Sequence, residues 1–203
     1  MTQSRILLLT GPVGAGKTTI LERVVGLARQ RGIACRGLLA PALRDASGQK
    51  AGIVGIDLAT GERRTLARTG RELACPHLGP YSFDAAALEW ATGVVLDSLA
   101  SPPPAGASTS PPLAGGMEGE CPRLVIVDEI GKLELWHGQG MAAVLPALAA
   151  GPAGWVLVVV RESLLEELQG RLGEVGQMVF RAGEQNRDDL PAEIVEVLLQ
   201  ACA

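Results

Sequence analysis

The chain has 203 residues, a formal net charge of -4 and 47% hydrophobic residues, enough to bury one sheet-and-helix core without calling for a second fold. Its negative balance and lack of basic clusters exclude a broad electrostatic footprint for DNA, RNA or anionic lipid. Four scattered cysteines, Cys35, Cys75, Cys121 and Cys202, form no CxxC pair, which excludes a zinc finger or a disulfide framework and points to reduced thiols in the cytoplasm.

In chain order, RILLLT (residues 5 to 10) is a short apolar run ended by Gly11 and Pro12, too short for a signal-peptide core and suited to a buried strand. The segment Gly11 to Thr19, GPVGAGKTT, follows directly, and a helical pattern runs from Thr18 to Gln30. Gly11, Gly16, Lys17 and Thr18 satisfy GxxxxGK[ST] in the strand-to-helix context that a phosphate-binding loop requires. Backbone N–H groups of Gly11, Pro12, Val13, Gly14, Ala15 and Gly16, Pro12 excepted because it has none, are expected to cradle phosphate, with the positive end of the helix behind them. Lys17 is expected to reach the β- and γ-phosphates, Thr18 to ligate the Mg²⁺ that accompanies the nucleotide, and Thr19 to support the α-phosphate. The chain has only three lysines, Lys17, Lys50 and Lys132, among 18 basic residues. In an arginine-rich background, a lysine here answers a local need for a compact point charge.

Gly52 to Leu58 and Arg63 to Arg68, joined by a turn at Ala59 to Glu62, predict an antiparallel hairpin. Cys75 and His77 lie two residues apart without a second ligand pair and are read as loop residues. Ala85 to Leu99 is helical in pattern. The segment from Ser101 to Glu120, rich in Pro, Gly and Ser, cannot pack a core and is expected to be a flexible insertion within a single domain spanning residues 1 to 203.

LVIVD (124 to 128) predicts a strand that delivers Asp128 and Glu129 at its carboxyl end, where open α/β sheets place their sites. Asp128 is the expected Walker B carboxylate for Mg²⁺, and Glu129 the expected general base toward water. Lys132 is a candidate catalytic cation, with a solvated lysine as the alternative. Met141 to Val160 contains no charged residue, but Gly151, Pro152 and Gly154 divide it into a helix at 141 to 149 and the strand WVLVVV, so a membrane span is not expected. Arg161 leaves that strand at the same edge as a candidate phosphate contact. Glu162 to Leu168 reads as a helix, QMVF (177 to 180) as a strand, and Pro191 to Ala201 as the last helix. Alternation of buried strands with helices sets the class as α/β, a mostly parallel sheet flanked by helices with an appended antiparallel hairpin.

Taken together, GPVGAGKTT, DEIGKLEL, the hairpin GIVGIDLATGERRTLAR and the late GEQNRDDLP resemble the small P-loop nucleoside-triphosphatase family that includes cancer-related nucleoside-triphosphatase. The resemblance covers most of the chain outside Ser101 to Glu120. It implies Mg²⁺-dependent hydrolysis of ATP, GTP and other nucleoside triphosphates to the diphosphate and phosphate, with slow turnover and little base discrimination. Where the family often shows T-x-E-x-R, this chain has Ala40-Pro41-Ala42-Leu43-Arg44, which keeps the arginine and lacks the glutamate. Asn186 and Arg187 match the family's NRD motif and are candidate base or phosphate contacts. Asn186 to Asp189 also approximates the NKxD guanine motif, but its distance from the strand and the helix-capping position of Asp189 argue against strict guanine specificity. A nucleotide or metabolite kinase and a nucleotide-dependent switch with a protein partner share the same loop and stand as the alternatives.

Overall fold

The computed structural model describes residues 5–70, 77–100 and 123–200. Readings that fall on Cys75, Cys121, Cys202 and the segment from 101 to 120 lie outside them.

Five strands pair in parallel: β1 (Ile6–Thr10), β2 (Ala34–Leu39), β8 (Arg123–Ile130), β9 (Trp155–Val160) and β10 (Gln177–Arg181). Their order is β10-β1-β9-β8-β2, so β9 separates the strand of the glycine loop from the strand of the acidic pair. Beyond β2 the sheet turns antiparallel through β4 (Lys50–Asp57), β5 (Arg63–Thr69), β7 (Tyr81–Phe83) and β6 (His77–Leu78), while β3 (Ala42–Arg44) pairs with β4. The predicted hairpin is β4–β5. Its turn is held by the Asp57 carboxylate, which accepts bonds from the Ala59 N–H at 2.8 Å and the Thr60 hydroxyl at 2.7 Å. Pairing of Leu38 with Asp57 and Leu39 with Ile56 makes the hairpin an extension of the main sheet.

The parallel strands are apolar at nearly every position because both faces are covered. Alternation sends Leu7, Leu9, Leu124, Ile126, Leu157 and Val159 to one face. There they meet α1 (Lys17–Gln30), through Ile20, Leu21, Val24 and Ala28, and α6 (Leu190–Gln200), through Ile194 and Leu198. Ile6, Leu8, Val125, Val127, Val156 and Val158 face the other way, against α2 (Ala85–Ala100), α4 (Val144–Ala149) and α5 (Leu165–Leu172). At ~25 cal/mol per Å² of apolar surface removed from water, each fully buried leucine or valine contributes on the order of 2 kcal/mol, so the two layers supply the dominant folding force.

Several boundaries differ from the sequence expectation. Strand β2 is absent from it because Arg36 and Gly37 interrupt the apolar run ACRGLL; Gly37 sits at φ 92°, and a Cβ there would stand 2.2 Å from the Ile126 carbonyl oxygen of β8. Close backbone approach, not hydrophobicity, fixes that residue. The helix expected from Met141 begins at Val144, after a turn in which the Met141 carbonyl accepts from the Val144 N–H. The helix expected at Glu162 opens with a 3-10 turn at Glu162–Leu164 before α5 takes over. A four-residue helix, α3 (Lys132–Leu135), follows β8 directly. Among the described residues, no helix is long and apolar enough to cross a membrane.

Candidate active site

All five parallel strands end at one edge, and the residues that follow them form the site. After β1 the chain turns at Gly11, φ 147°, where a Cβ would stand 2.5 Å from the Ala182 carbonyl oxygen. Ala182 is itself fixed, since its N–H donates to the Thr10 carbonyl at 2.8 Å. Gly16, left-handed at φ 81°, then aims the chain into α1, whose first turn lacks a capping side chain. Uncapped N–H groups at a helix start are an anion site in waiting. The Lys17 ammonium arches back over the loop and donates to the carbonyls of Gly11 at 2.8 Å and Pro12 at 2.9 Å. Burial lowers its pKa, and the nearby Glu129 carboxylate opposes that shift. Val13, at the tip of the loop, is 89% exposed.

Asp128 is buried at the end of β8. Its Oδ2 accepts the Ala40 N–H at 3.0 Å, and its carboxylate also takes the Thr18 hydroxyl bond. Desolvation raises its pKa to about 6, against those two bonds and with further upward pressure from Glu129. Thr18 and Asp128 thus present neighbouring hard oxygens. This donor set fits Mg²⁺, which usually takes one or two protein oxygens and completes its shell with phosphate and water. No cluster of three or more His, Cys, Asp or Glu suited to a metal is found among the described residues.

Glu129, next along the chain, points its Oε1 to the Arg161 Nε at 2.7 Å. Arg161 leaves β9, the strand next to β8, so the pair spans two neighbouring strand ends. Lys17 lies within electrostatic range of Asp128, Glu129, Arg161 and Glu162, which assembles most of the expected phosphate end in one place.

Three other expected residues sit differently. Lys132 opens α3 and lays its ammonium over the Trp136 ring, 4.6 Å from the centroid, in a cation–π contact. Asn186 is committed to its own loop: its Oδ1 accepts the Gly183 N–H at 2.8 Å and its Nδ2 donates to the Arg181 carbonyl at 2.9 Å. Arg187 lines a concavity of about 160 Å³ with Ala15, Gly16, Thr19 and Arg23. Asp188 closes it through a 2.6 Å ion pair with Arg23. Asp189 directly precedes α6 and its carbonyl accepts from the Glu193 N–H, the helix-start position expected for it. Arg44, retained where the family glutamate is missing, bonds the Gly48 carbonyl at 2.7 Å and so holds the β3–β4 turn.

Sequence reading missed Glu134. This buried carboxylate accepts the Gly131 N–H at 2.8 Å and the Met141 N–H at 3.2 Å, tying the turn after Glu129 to the following loop. Its signal was present in the spacing Gly131-x-x-Glu134, the carboxylate half of a capping box. A concavity of about 600 Å³ between α2 and Gln139–Gly140 holds none of the expected site residues.

A mostly parallel sheet with a glycine loop after one strand and an acidic pair after the next but one defines a P-loop nucleotide-binding protein. The NTPase family model matches residues 6–101. Over 198 residues the chain is 30% identical to nucleoside-triphosphatase THEP1 of Methanopyrus kandleri, covering 96% of this chain and 95% of that one. It is 28% identical over 197 residues to THEP1 of Thermofilum pendens, covering 97% and 96%. The crystal structure of THEP1 from Aquifex aeolicus superposes with a TM-score of 0.69 at 18% identity over 95% of this chain and 98% of that one, a likeness of fold. The chain belongs to the THEP1 nucleoside-triphosphatase family.

Proposed function

We propose that this chain hydrolyses nucleoside triphosphates to the diphosphate and phosphate, with Mg²⁺, broad base acceptance and slow turnover. The observation that carries the reading is the position of Glu129: a carboxylate at the end of β8, next to Asp128 and within electrostatic range of Lys17. A carboxylate there can take a proton from water aimed at the terminal phosphorus. Names carried by the relatives, nucleoside-triphosphatase throughout, agree with it.

In this reading the amides of Gly11 to Gly16 and the start of α1 hold the phosphates. Lys17 exchanges its carbonyl partners for phosphate oxygens, and Thr18 and Asp128 would hold Mg²⁺. The ion, when bound, supplies charge neutralisation on the phosphate oxygens. Arg187 and Thr19, which line one concavity, serve the α-phosphate and nucleoside end. Asn186 shapes the loop there: each atom of its amide already holds a backbone bond, which leaves one donor and one lone pair at most toward a base and suits acceptance of several nucleotides. Lys132, withdrawn onto Trp136, would have to leave that ring to meet a phosphoryl group. The reading is of one nucleotide-binding domain acting in the cytoplasm, where its substrates are made.

The test is Glu129→Gln. The variant should bind ATP with Mg²⁺ as the parent does and lose most phosphate release; release at the parental rate would falsify the base assignment. Phosphate release from ATP, GTP, CTP, UTP and deoxynucleotides, with and without Mg²⁺, tests breadth.

A further inference from the structure

Glu129 and Arg161 are joined through one edge of the guanidinium only. The 2.7 Å bond uses Nε, and a guanidinium carries five N–H donors in a rigid plane, so the terminal nitrogens retain donors for a second anion. Charge on the acidic side favours such a cation. Glu129 acts electrostatically on Asp128 and on Glu134, and all three carboxylates gather at the end of β8. Glu129 Oε1 and Glu134 Oε2 each stand 3.6 Å from the position a Gly131 Cβ would take. A triphosphate entering beside three carboxylates is repelled unless cations intervene, and Lys17 and Arg161 are the cations that the geometry brings there.

We propose that Arg161 is a bridging residue: its Nε orients the Glu129 carboxylate while its terminal nitrogens contact the phosphoryl group being transferred. This rests on the hydrolase reading and assigns work within it. With Oε1 held by Arg161, Oε2 of Glu129 is the oxygen left to receive the proton. The water oxygen forms the new bond to the γ-phosphorus, the bond from that phosphorus to the β,γ-bridging oxygen breaks, and the diphosphate leaves with the electron pair. The water proton passes to Glu129 Oε2 and then to solvent. Arg161 keeps base and electrophile in register throughout, touching one and pointing the other.

The pair is too open to be explained by folding, with the Arg161 side chain 44% and the Glu129 side chain 32% exposed. Its removal therefore leaves the fold intact. The experiment compares wild type, R161A, R161K, E129Q and R161A/E129Q for steady-state phosphate release, for binding of a fluorescent ATP analogue with Mg²⁺, and for melting temperature. R161A should lower kcat by about 10²-fold while weakening nucleotide binding only a few-fold. R161K, with charge but no fork, should stay well below wild type, and added guanidinium should restore part of the R161A rate. Because only one of its two roles runs through Glu129, adding R161A to E129Q should lower the rate further, but by clearly less than R161A lowers it in wild type.

Full multiplicative effects in the double variant would overturn the bridge and leave Arg161 as a separate phosphate contact. Wild-type kcat in R161A would overturn both of its roles. Wild-type release by E129Q would instead overturn the base assignment on which the bridge rests, and that outcome is read in its own variant.

Discussion

The Ala40 N–H donates to Asp128 Oδ2 at 3.0 Å, so the chain leaving β2 holds the carboxylate that ends β8. The bond only partly offsets burial, and the Asp128 pKa stands raised to about 6 from the ordinary 3.8. A folded chain with that value binds the proton more tightly than the unfolded chain does. The resulting stability is fully present below the unfolded value and is lost as pH rises through about 6. In the absence of Mg²⁺ and nucleotide, urea unfolding should therefore show wild type losing on the order of 3 kcal/mol relative to D128N between the two values. Equal pH dependence in the two proteins would contradict it. On the proposed reading, the same ionisation would ready Asp128 for a divalent cation, so stability given up near neutral pH would be the cost of a metal-binding oxygen.

Gly11 cannot accept a side chain. Its φ of 147° is outside the range of ordinary residues, and the Ala182 carbonyl 2.5 Å from a modest Cβ cannot retreat while the Ala182 N–H is bonded to Thr10. Gly11→Ala should destabilise by about 2 kcal/mol or more and abolish measurable nucleotide binding. Gly26→Ala is the contrast. That glycine lies inside α1 with nothing within 4 Å of its Cβ position, and the change should stabilise by about 0.5–1 kcal/mol. Thermal melts of both variants decide the matter.

Glu134 offers its two oxygens to two backbone donors, Gly131 and Met141. Truncation in Glu134→Ala leaves both N–H groups buried without a partner, at about 1–3 kcal/mol each before relaxation. The melting temperature should fall, and kcat should fall with it, because the Gly131 turn sits directly behind Glu129. Burial raises the Glu134 pKa, so its ionised form is the less stable one in the fold. Glu134→Gln, which keeps one acceptor and no charge, should accordingly close part of the stability gap to wild type as pH rises above the ordinary carboxylate range.

Lys17 contacts only loop carbonyls and is placed to exchange them for phosphate. Lys17→Met should preserve the melting temperature within a few degrees and lower kcat/KM on the order of 10²-fold or more. Isothermal titration with ATP and Mg²⁺, beside the melt, separates lost binding from lost folding.

Much of this site was legible in the chain because its chemistry is local. GPVGAGKTT between a strand and a helix needs only its own neighbours to make a phosphate loop, and LVIVD carries its carboxylates to the strand end by the two-residue period of a strand. Asn186 shows where such reading stops. An amide in a polar loop beside the glycine loop looks like a ligand contact, yet its oxygen and nitrogen each hold a backbone partner, Gly183 and Arg181. Glu134 lay in plain view as a spacing from Gly131, but its second partner, Met141, depends on how the loop after α3 folds back.

By itself the sequence determined the α/β class, the phosphate loop, the acidic strand end and the hairpin, since these follow from periodicity, glycine placement and strand-to-helix context within about twenty residues. Only the tertiary structure decided that β9 lies between β1 and β8, and with it the meeting of Arg161 with Glu129 and of Ala40 with Asp128. The physical reason is that an apolar strand's pattern fixes which faces are buried but not which strand it pairs with. That choice is made by the packing of α1 and α6 on one face against α2, α4 and α5 on the other.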